Sequence, residues 1–218
     1  MYQTELINIS IGDHSFRLHQ VTNVDEVFDS LIQADPSSLE VIDERIPYWT
    51  ELWPAAIAMS EYILDNIESI KDKNVLEVAC GLGLPSIAAG TVGAKVITSD
   101  YIQDAVDFAK KNWNENHQHP ASFTVLDWRD LKPDTWPDVI LASDIAYEKR
   151  FQDLLPSVIN DWVQRGAEVI FTEPDRSTAR DFISILKSSA HLQTFVVKKV
   201  LWRSLSTRVN LMVFRLNK

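Results

Sequence analysis

The sequence predicts an α/β fold, doubly wound around a mostly parallel seven-stranded sheet, with an antiparallel C-terminal hairpin and an N-terminal extension. Three observations carry that expectation. From Lys73 onward, short apolar runs alternate with amphipathic helical segments, the pattern of a parallel sheet covered on both faces. The last two strand candidates have no helix between them, so they must pair as an antiparallel hairpin. A chain of 218 residues with 45% hydrophobic content also suffices for one generous domain that needs no disulfide or metal to fold.

The chain opens on alternation. Ile7, Ile9 and Ile11 mark a strand over Glu5–Ile11, Phe16 and Leu18 mark another over Ser15–Gln20, and Gly12-Asp13 forms the turn between them. A short helix over Asp25–Ala34 stops at Asp35-Pro36, because the residue before proline avoids helical geometry. Arg45–Pro54 gathers Tyr48, Trp49 and Trp53, and Pro54 opens a helix reaching about Asn66. The regular region follows, with a strand at Asn74–Ala79, a helix at Leu84–Val92, a strand at Lys95–Ser99 and a helix at Ile102–His117. Strands at Ser122–Leu126 and Asp138–Ser143 come next, then helical spacing over Phe151–Val163, which Pro156 is expected to kink or split. A strand at Glu168–Thr172 and a helix at Ser177–Ser188 lead into strands Leu192–Trp202 and Thr207–Leu216. Val209–Phe214 is apolar on both faces, which places the last strand inside the sheet. The organisation is therefore an extension over residues 1–53 and one domain over 54–218.

Composition narrows the function classes. A net charge of −10 argues against nucleic-acid binding, where phosphate neutralisation dominates affinity. Residues 182–218 carry seven basic residues and no acid. A sheet edge protected by lysines is the common cause of such a tail, and a docking surface for an acidic partner is the alternative. The lone Cys80 and five scattered histidines make no metal site, so no metal is expected. The first residues show no basic start followed by an apolar run, and no stretch approaches the ~20 apolar residues of a membrane span. The expectation is a cytoplasmic protein with no membrane partner.

In open α/β sheets ligands bind at the carboxyl ends of the strands. The first such end reads Glu77-Val78-Ala79-Cys80-Gly81-Leu82-Gly83-Leu84-Pro85, where two glycines permit a tight turn and close backbone approach to a ligand. A dinucleotide fingerprint would place a third glycine where Ser86 stands. Glu77 suits a ligand with a cationic amine better than a pyrophosphate, which favours S-adenosyl-L-methionine over NAD. Asp100 ends the second strand, where a carboxylate accepts from ribose hydroxyls or caps a helix. Asp127 and Trp128 end the third, placed to meet an adenine, although an aromatic there more often packs in the core.

The fourth strand ends Ser143-Asp144-Ile145-Ala146-Tyr147, which resembles the D-x-x-Y motif of the seven-stranded (class I, Rossmann-like) lysine methyltransferases. Leu52-Trp53-Pro54, the Glu77-to-Gly83 loop, Asp100 and Asp127-Trp128 follow that family's order and spacing. The resemblance implies that Trp53, Gly81, Leu82, Gly83, Asp100, Trp128 and Ser143 contact S-adenosyl-L-methionine, while Asp144 and Tyr147 hold the accepting amine. Ala79 departs from the pattern, standing where the family has glycine, and is expected to alter the loop. The implied activity is methylation of a protein lysine, its partner a protein substrate. The alternatives are N-methylation of a small amine or pyridine such as nicotinamide, and a binding protein that keeps the fold without turnover.

Overall fold

In the computed structural model, which describes residues 1–132 and 136–217 and, within them, all side chains but those of Leu39 and Glu40, the chain begins with a hairpin. Its strands, β1 (Thr4–Ile11) and β2 (His14–Val21), form a separate two-stranded sheet. Alternation sets the buried face: Ile9, Ile11, Phe16 and Leu18 point inward while Ser10 and Arg17 stay exposed. Helix α1 (Val24–Ile32) and the short α2 (Leu39–Ile42) lead to a 3-10 turn at Tyr48–Thr50. Pro54 then starts α3 (Pro54–Asp65), followed by the single turn α4 (Ile67–Ile70).

The repeating units follow as β3 (Asn74–Val78), α5 (Leu84–Thr91), β4 (Lys95–Asp100), α6 (Gln103–Asn116) and β5 (Ser122–Val125). After them come β6 (Val139–Ser143), α7 (Lys149–Gln164), β7 (Glu168–Pro174) and α8 (Arg180–Lys187). The long strands β8 (Leu192–Trp202) and β9 (Leu205–Phe214) close the sheet. Its order is β5-β4-β3-β6-β7-β9-β8, parallel from β5 to β7 and antiparallel through β9 and β8. Alternate residues feed two cores. Val75, Leu141, Ile170 and Leu211 pack beneath α3, α5, α6 and the N-terminal hairpin. Leu76, Ile140, Phe171 and Met212 pack against α7 and α8 on the other face.

β9 lies inside the sheet as its apolar run requires, and β8 forms the edge. Lys198 on β8 pairs with Glu61 and Asp65 of α3, at 3.0 Å and 3.6 Å. The turn between the two strands is only Arg203-Ser204, both in the left-handed region, so β9 starts at Leu205 rather than Thr207. Pro156 does not split its helix, because α7 runs unbroken for 16 residues. Burial of Phe151, Leu155, Ile159 and Trp162 on either side outweighs the ~3 kcal/mol a mid-helix proline costs. No helix among the described residues is long and apolar enough to cross a membrane.

Candidate active site

The carboxyl ends of β3, β4 and β6 meet the Ile46–Trp53 segment around a cavity of about 350 Å³. The turn after β3 forms its floor. Ala79, Gly81 and Gly83 all take left-handed backbone angles, with φ of +49°, +51° and +79°. Ala79 therefore takes a glycine-like conformation despite its methyl group. Gly83 is the position where glycine is required, since an added Cβ would stand 3.0 Å from the Ala109 Cβ on α6. Asn112 of α6 clasps the same loop: its amide donates to the Leu82 carbonyl at 3.0 Å and exchanges hydrogen bonds with the His19 backbone of β2.

Asp100 is buried at the end of β4, one oxygen accepting from the Gly81 N–H and the other from the Ile102 N–H, each at 3.1 Å. Burial pushes its carboxyl up to about 6. Leu82 and Ser143 line the same cavity, and so do Asp144 and Tyr147. Asp144 also adopts a left-handed φ of +56°, fixed by its N–H donating to the Thr172 carbonyl at 2.8 Å. Burial holds the Tyr147 phenol well above its ordinary value, so the hydroxyl stays protonated. Its ring meets Tyr48 edge-on at 4.9 Å, and the Trp53 indole N–H donates to the Tyr48 carbonyl at 2.7 Å. Trp49, by contrast, is mostly core, packed against Tyr2 and Phe108 under the N-terminal hairpin.

Three of the residues expected at a cofactor lie outside the cavity lining. Glu77 is fully buried, one oxygen accepting from the Ser86 N–H of α5 at 2.9 Å and the other without a partner. Burial pushes it up to about 8. It secures the start of the helix and is not part of the cavity lining. Asp127 is occupied by Arg129, accepting from its backbone and side chain, while the same guanidinium reaches Asp43 at 2.7 Å. The Trp128 ring is 6% exposed and packs edge-on against Phe151 at 5.6 Å, the core role such aromatics usually take.

The sequence reading missed Glu173 and Arg176. The Arg176 guanidinium bridges Asp144 at 2.6 and 3.1 Å and Glu173 at 2.7 Å. Both carboxylates lie deep, and burial pushes both upward, Glu173 to about 7. The strand-end rule that pointed to Asp144 applies equally at the end of β7, where Glu173-Pro174-Asp175-Arg176 stands.

Over residues 42–189, a span containing the walls just described, the sequence matches the family described as lysine methyltransferase. The chain belongs to the lysine methyltransferase family. Family likeness extends to histone-arginine methyltransferase METTL23 of Xenopus laevis, 34% identical over 118 residues, 51% of this chain and 50% of that protein. The electron transfer flavoprotein beta subunit lysine methyltransferase of Xenopus laevis is 30% identical over 137 residues, 60% of this chain and 54% of its own length. The chain thus spans about half the length of these relatives. The family fold is shared with the T. thermophilus 16S rRNA methyltransferase RsmC (TM-score 0.61, 14% identity, 97% of this chain and 51% of that one). It is shared too with the N-methyltransferase NodS of Bradyrhizobium japonicum, solved with S-adenosyl-l-homocysteine (TM-score 0.56, 14% identity, 88% of this chain and 99% of that one). At such identities the likeness is one of fold.

Proposed function

We propose that this chain transfers a methyl group from S-adenosyl-L-methionine to an amine nitrogen, the side chain of a lysine in a protein substrate. The observation that carries the reading is the meeting, in one cavity, of the glycine turn, the Asp100 carboxylate and the Asp144–Tyr147 pair. Family membership and relatives named for protein substrates support it.

The residues present fit the cofactor. Left-handed Gly81 and Gly83 bring bare backbone to the cavity, and each Asp100 oxygen accepts one N–H and keeps a lone pair for a ribose hydroxyl. When bound, the cofactor supplies an electrophilic methyl group whose sulfur leaves neutral, so no acid is needed. The chain's task is alignment, worth up to ~7–11 kcal/mol when complete. A lysine with a free pKa near ~10.4 has to lose a proton before it attacks. The Tyr147 phenol cannot take that proton, since burial keeps it in the neutral form. It donates a hydrogen bond or offers its ring face, while Asp144 accepts from the amine and water carries the lysine's proton away to solvent. Tyr48 and Trp53 narrow the walls around a long, thin side chain.

Two measurements test the proposal. Calorimetric titration with S-adenosylhomocysteine should show binding, and Asp100→Ala should weaken it about 10- to 100-fold, the loss of ~1.5–3 kcal/mol of charged hydrogen bonding. Cell lysate incubated with the enzyme and methyl-labelled cofactor should carry label in a discrete protein band mapped to lysine. Absence of S-adenosylhomocysteine binding would overturn the cofactor assignment. Label confined to small molecules would transfer the function to a small amine or pyridine.

A further inference from the structure

The Asp144–Arg176–Glu173 cluster has an arrangement that a simple structural ion pair does not need. The two acidic side chains are the deeper members, 9% and 0% exposed, and the arginine side chain covering them is 31% exposed. One Glu173 oxygen remains buried without a hydrogen-bond partner. Two acids face one base, so the cluster has one more carboxyl than the arginine can neutralise, and it shares a proton or takes up further positive charge. The backbone around Arg176 is fixed independently of that contact. The Asp175 N–H donates to the Arg208 carbonyl at 2.8 Å, and the Asp175 carboxylate accepts from the Arg208 Nε at 3.0 Å. Only the side chain of Arg176 depends on the carboxylates, and it has somewhere else to go. A second cavity of about 270 Å³ lies between the Trp53-Pro54 turn and the tip of the β8–β9 hairpin, and Arg176 is part of the wall of both.

We propose that the Asp144–Glu173 carboxylate pair is the seat for the acceptor's cationic nitrogen, and that the Arg176 guanidinium occupies it as a displaceable internal stand-in. The proposal rests on the methyltransferase reading and extends it. It adds Glu173 as a second acceptor-binding residue and gives Arg176 a gating role. The geometry already demonstrates that the pair accepts a cation by three short contacts, two to Asp144 and one to Glu173. An incoming lysine ammonium exchanges for the guanidinium, which moves into the second cavity while the backbone stays in place. The exchange conserves charge in the site, so no buried carboxylate is left alone. It also makes the site selective, since an acceptor that cannot replace the arginine's contacts leaves the gate shut.

A seat occupied nine times in ten by its own arginine weakens apparent acceptor affinity about tenfold. The test is therefore calorimetric binding of n-butylammonium, the lysine side-chain analogue, with methylguanidinium as a second probe, to protein saturated with S-adenosylhomocysteine. Arg176→Ala should bind n-butylammonium about tenfold or more tightly than the unsubstituted protein, and Arg176→Ala combined with Glu173→Gln should lose that gain. A gain seen only with methylguanidinium would overturn the lysine assignment of the seat and leave a guanidinium site. Arg176→Met, which preserves the aliphatic stem, is the companion variant. If the unsubstituted protein binds S-adenosylhomocysteine while both Arg176 variants do not, Arg176 is structural and the proposal falls. It falls equally if they bind S-adenosylhomocysteine normally but neither cation better than the unsubstituted protein does. Failure of the unsubstituted protein to bind S-adenosylhomocysteine would instead overturn the underlying methyltransferase reading.

Discussion

Replacing Gly83 with alanine should separate two physical costs in the glycine turn. The first is conformational. At φ +79° an L-residue loses ~1–2 kcal/mol, of which ~0.5–1 returns because the unfolded chain gives up glycine's freedom. The second is steric. The new Cβ would lie 3.0 Å from the Ala109 Cβ and 3.4 Å from its Cα, inside the ~3.5–4.0 Å optimum for carbon contacts. Ala109 is 1% exposed on α6 and cannot step aside freely, so overpacking adds ~1–3 kcal/mol. The sum is about 1.5–4 kcal/mol, a fall in Tm of roughly 3–16 °C for a chain of this size. Gly81→Ala is the internal control. It meets nothing closer than the Trp49 Cα at 3.6 Å, so only the conformational cost of ~0.5–1 kcal/mol applies. Urea unfolding with an unchanged m-value measures both, and combining Gly83→Ala with Ala109→Gly isolates the steric part as a coupling energy. Equal costs at Gly81 and Gly83, or no coupling to Ala109, would mean that the Gly83–Ala109 approach carries no steric cost.

Two further outcomes follow from the same geometry. Asp144→Ala should abolish turnover and leave S-adenosylhomocysteine affinity within about twofold, whereas Trp128→Ala should cost ~3–5 kcal/mol of stability as a core truncation. Saturation kinetics and denaturant midpoints distinguish the two, and an Asp144→Ala enzyme of full activity would remove Asp144 from the acceptor site. Stability should also fall as pH rises from about 5 to 8. Glu77 at about 8, Glu173 at about 7 and Asp100 at about 6 all titrate above their unfolded values, so in that window the folded chain holds more protons than the unfolded one. A slope of roughly 1–3 kcal/mol per pH unit, steeper at the acid end, is expected, shallower in Glu77→Gln, and unfolding free energies that rise across the window would contradict it.

How much of this was legible in the sequence depended on whether a feature was local. Strand and helix order could be read because β3, β6 and β9 are buried on both faces and α6 on one. Helix α7 is not split at Pro156 because a penalty visible in the sequence is outweighed by packing that is not. The candidate site divided in the same way. Gly81, Gly83, Asp100 and Asp144 sit at strand ends, where topology alone brings them together. Asp127 and Glu77 share that placement but lie outside the cavity lining, and all three of Asp127, Glu77 and Asp144 have a partner, Arg129, the Ser86 N–H or Arg176. Spacing says where a carboxylate lies, and only three-dimensional contacts say what has already claimed it. Arg176 lies 32 residues from Asp144, and nothing in their separation announces the pairing.

The position of β9 also shapes how the chain is made. β7 is complete at Pro174, but the neighbour it pairs with, Val209–Phe214, is translated some 40 residues later. At ~5–20 residues per second the ribosome leaves β7 with an open edge for roughly 2–8 s. Such an edge is a template for pairing with any other strand that arrives first. A transcript cut before codon 205 would yield an unfinished sheet with a sticky border, prone to aggregate even though every wall of the glycine turn had been synthesised.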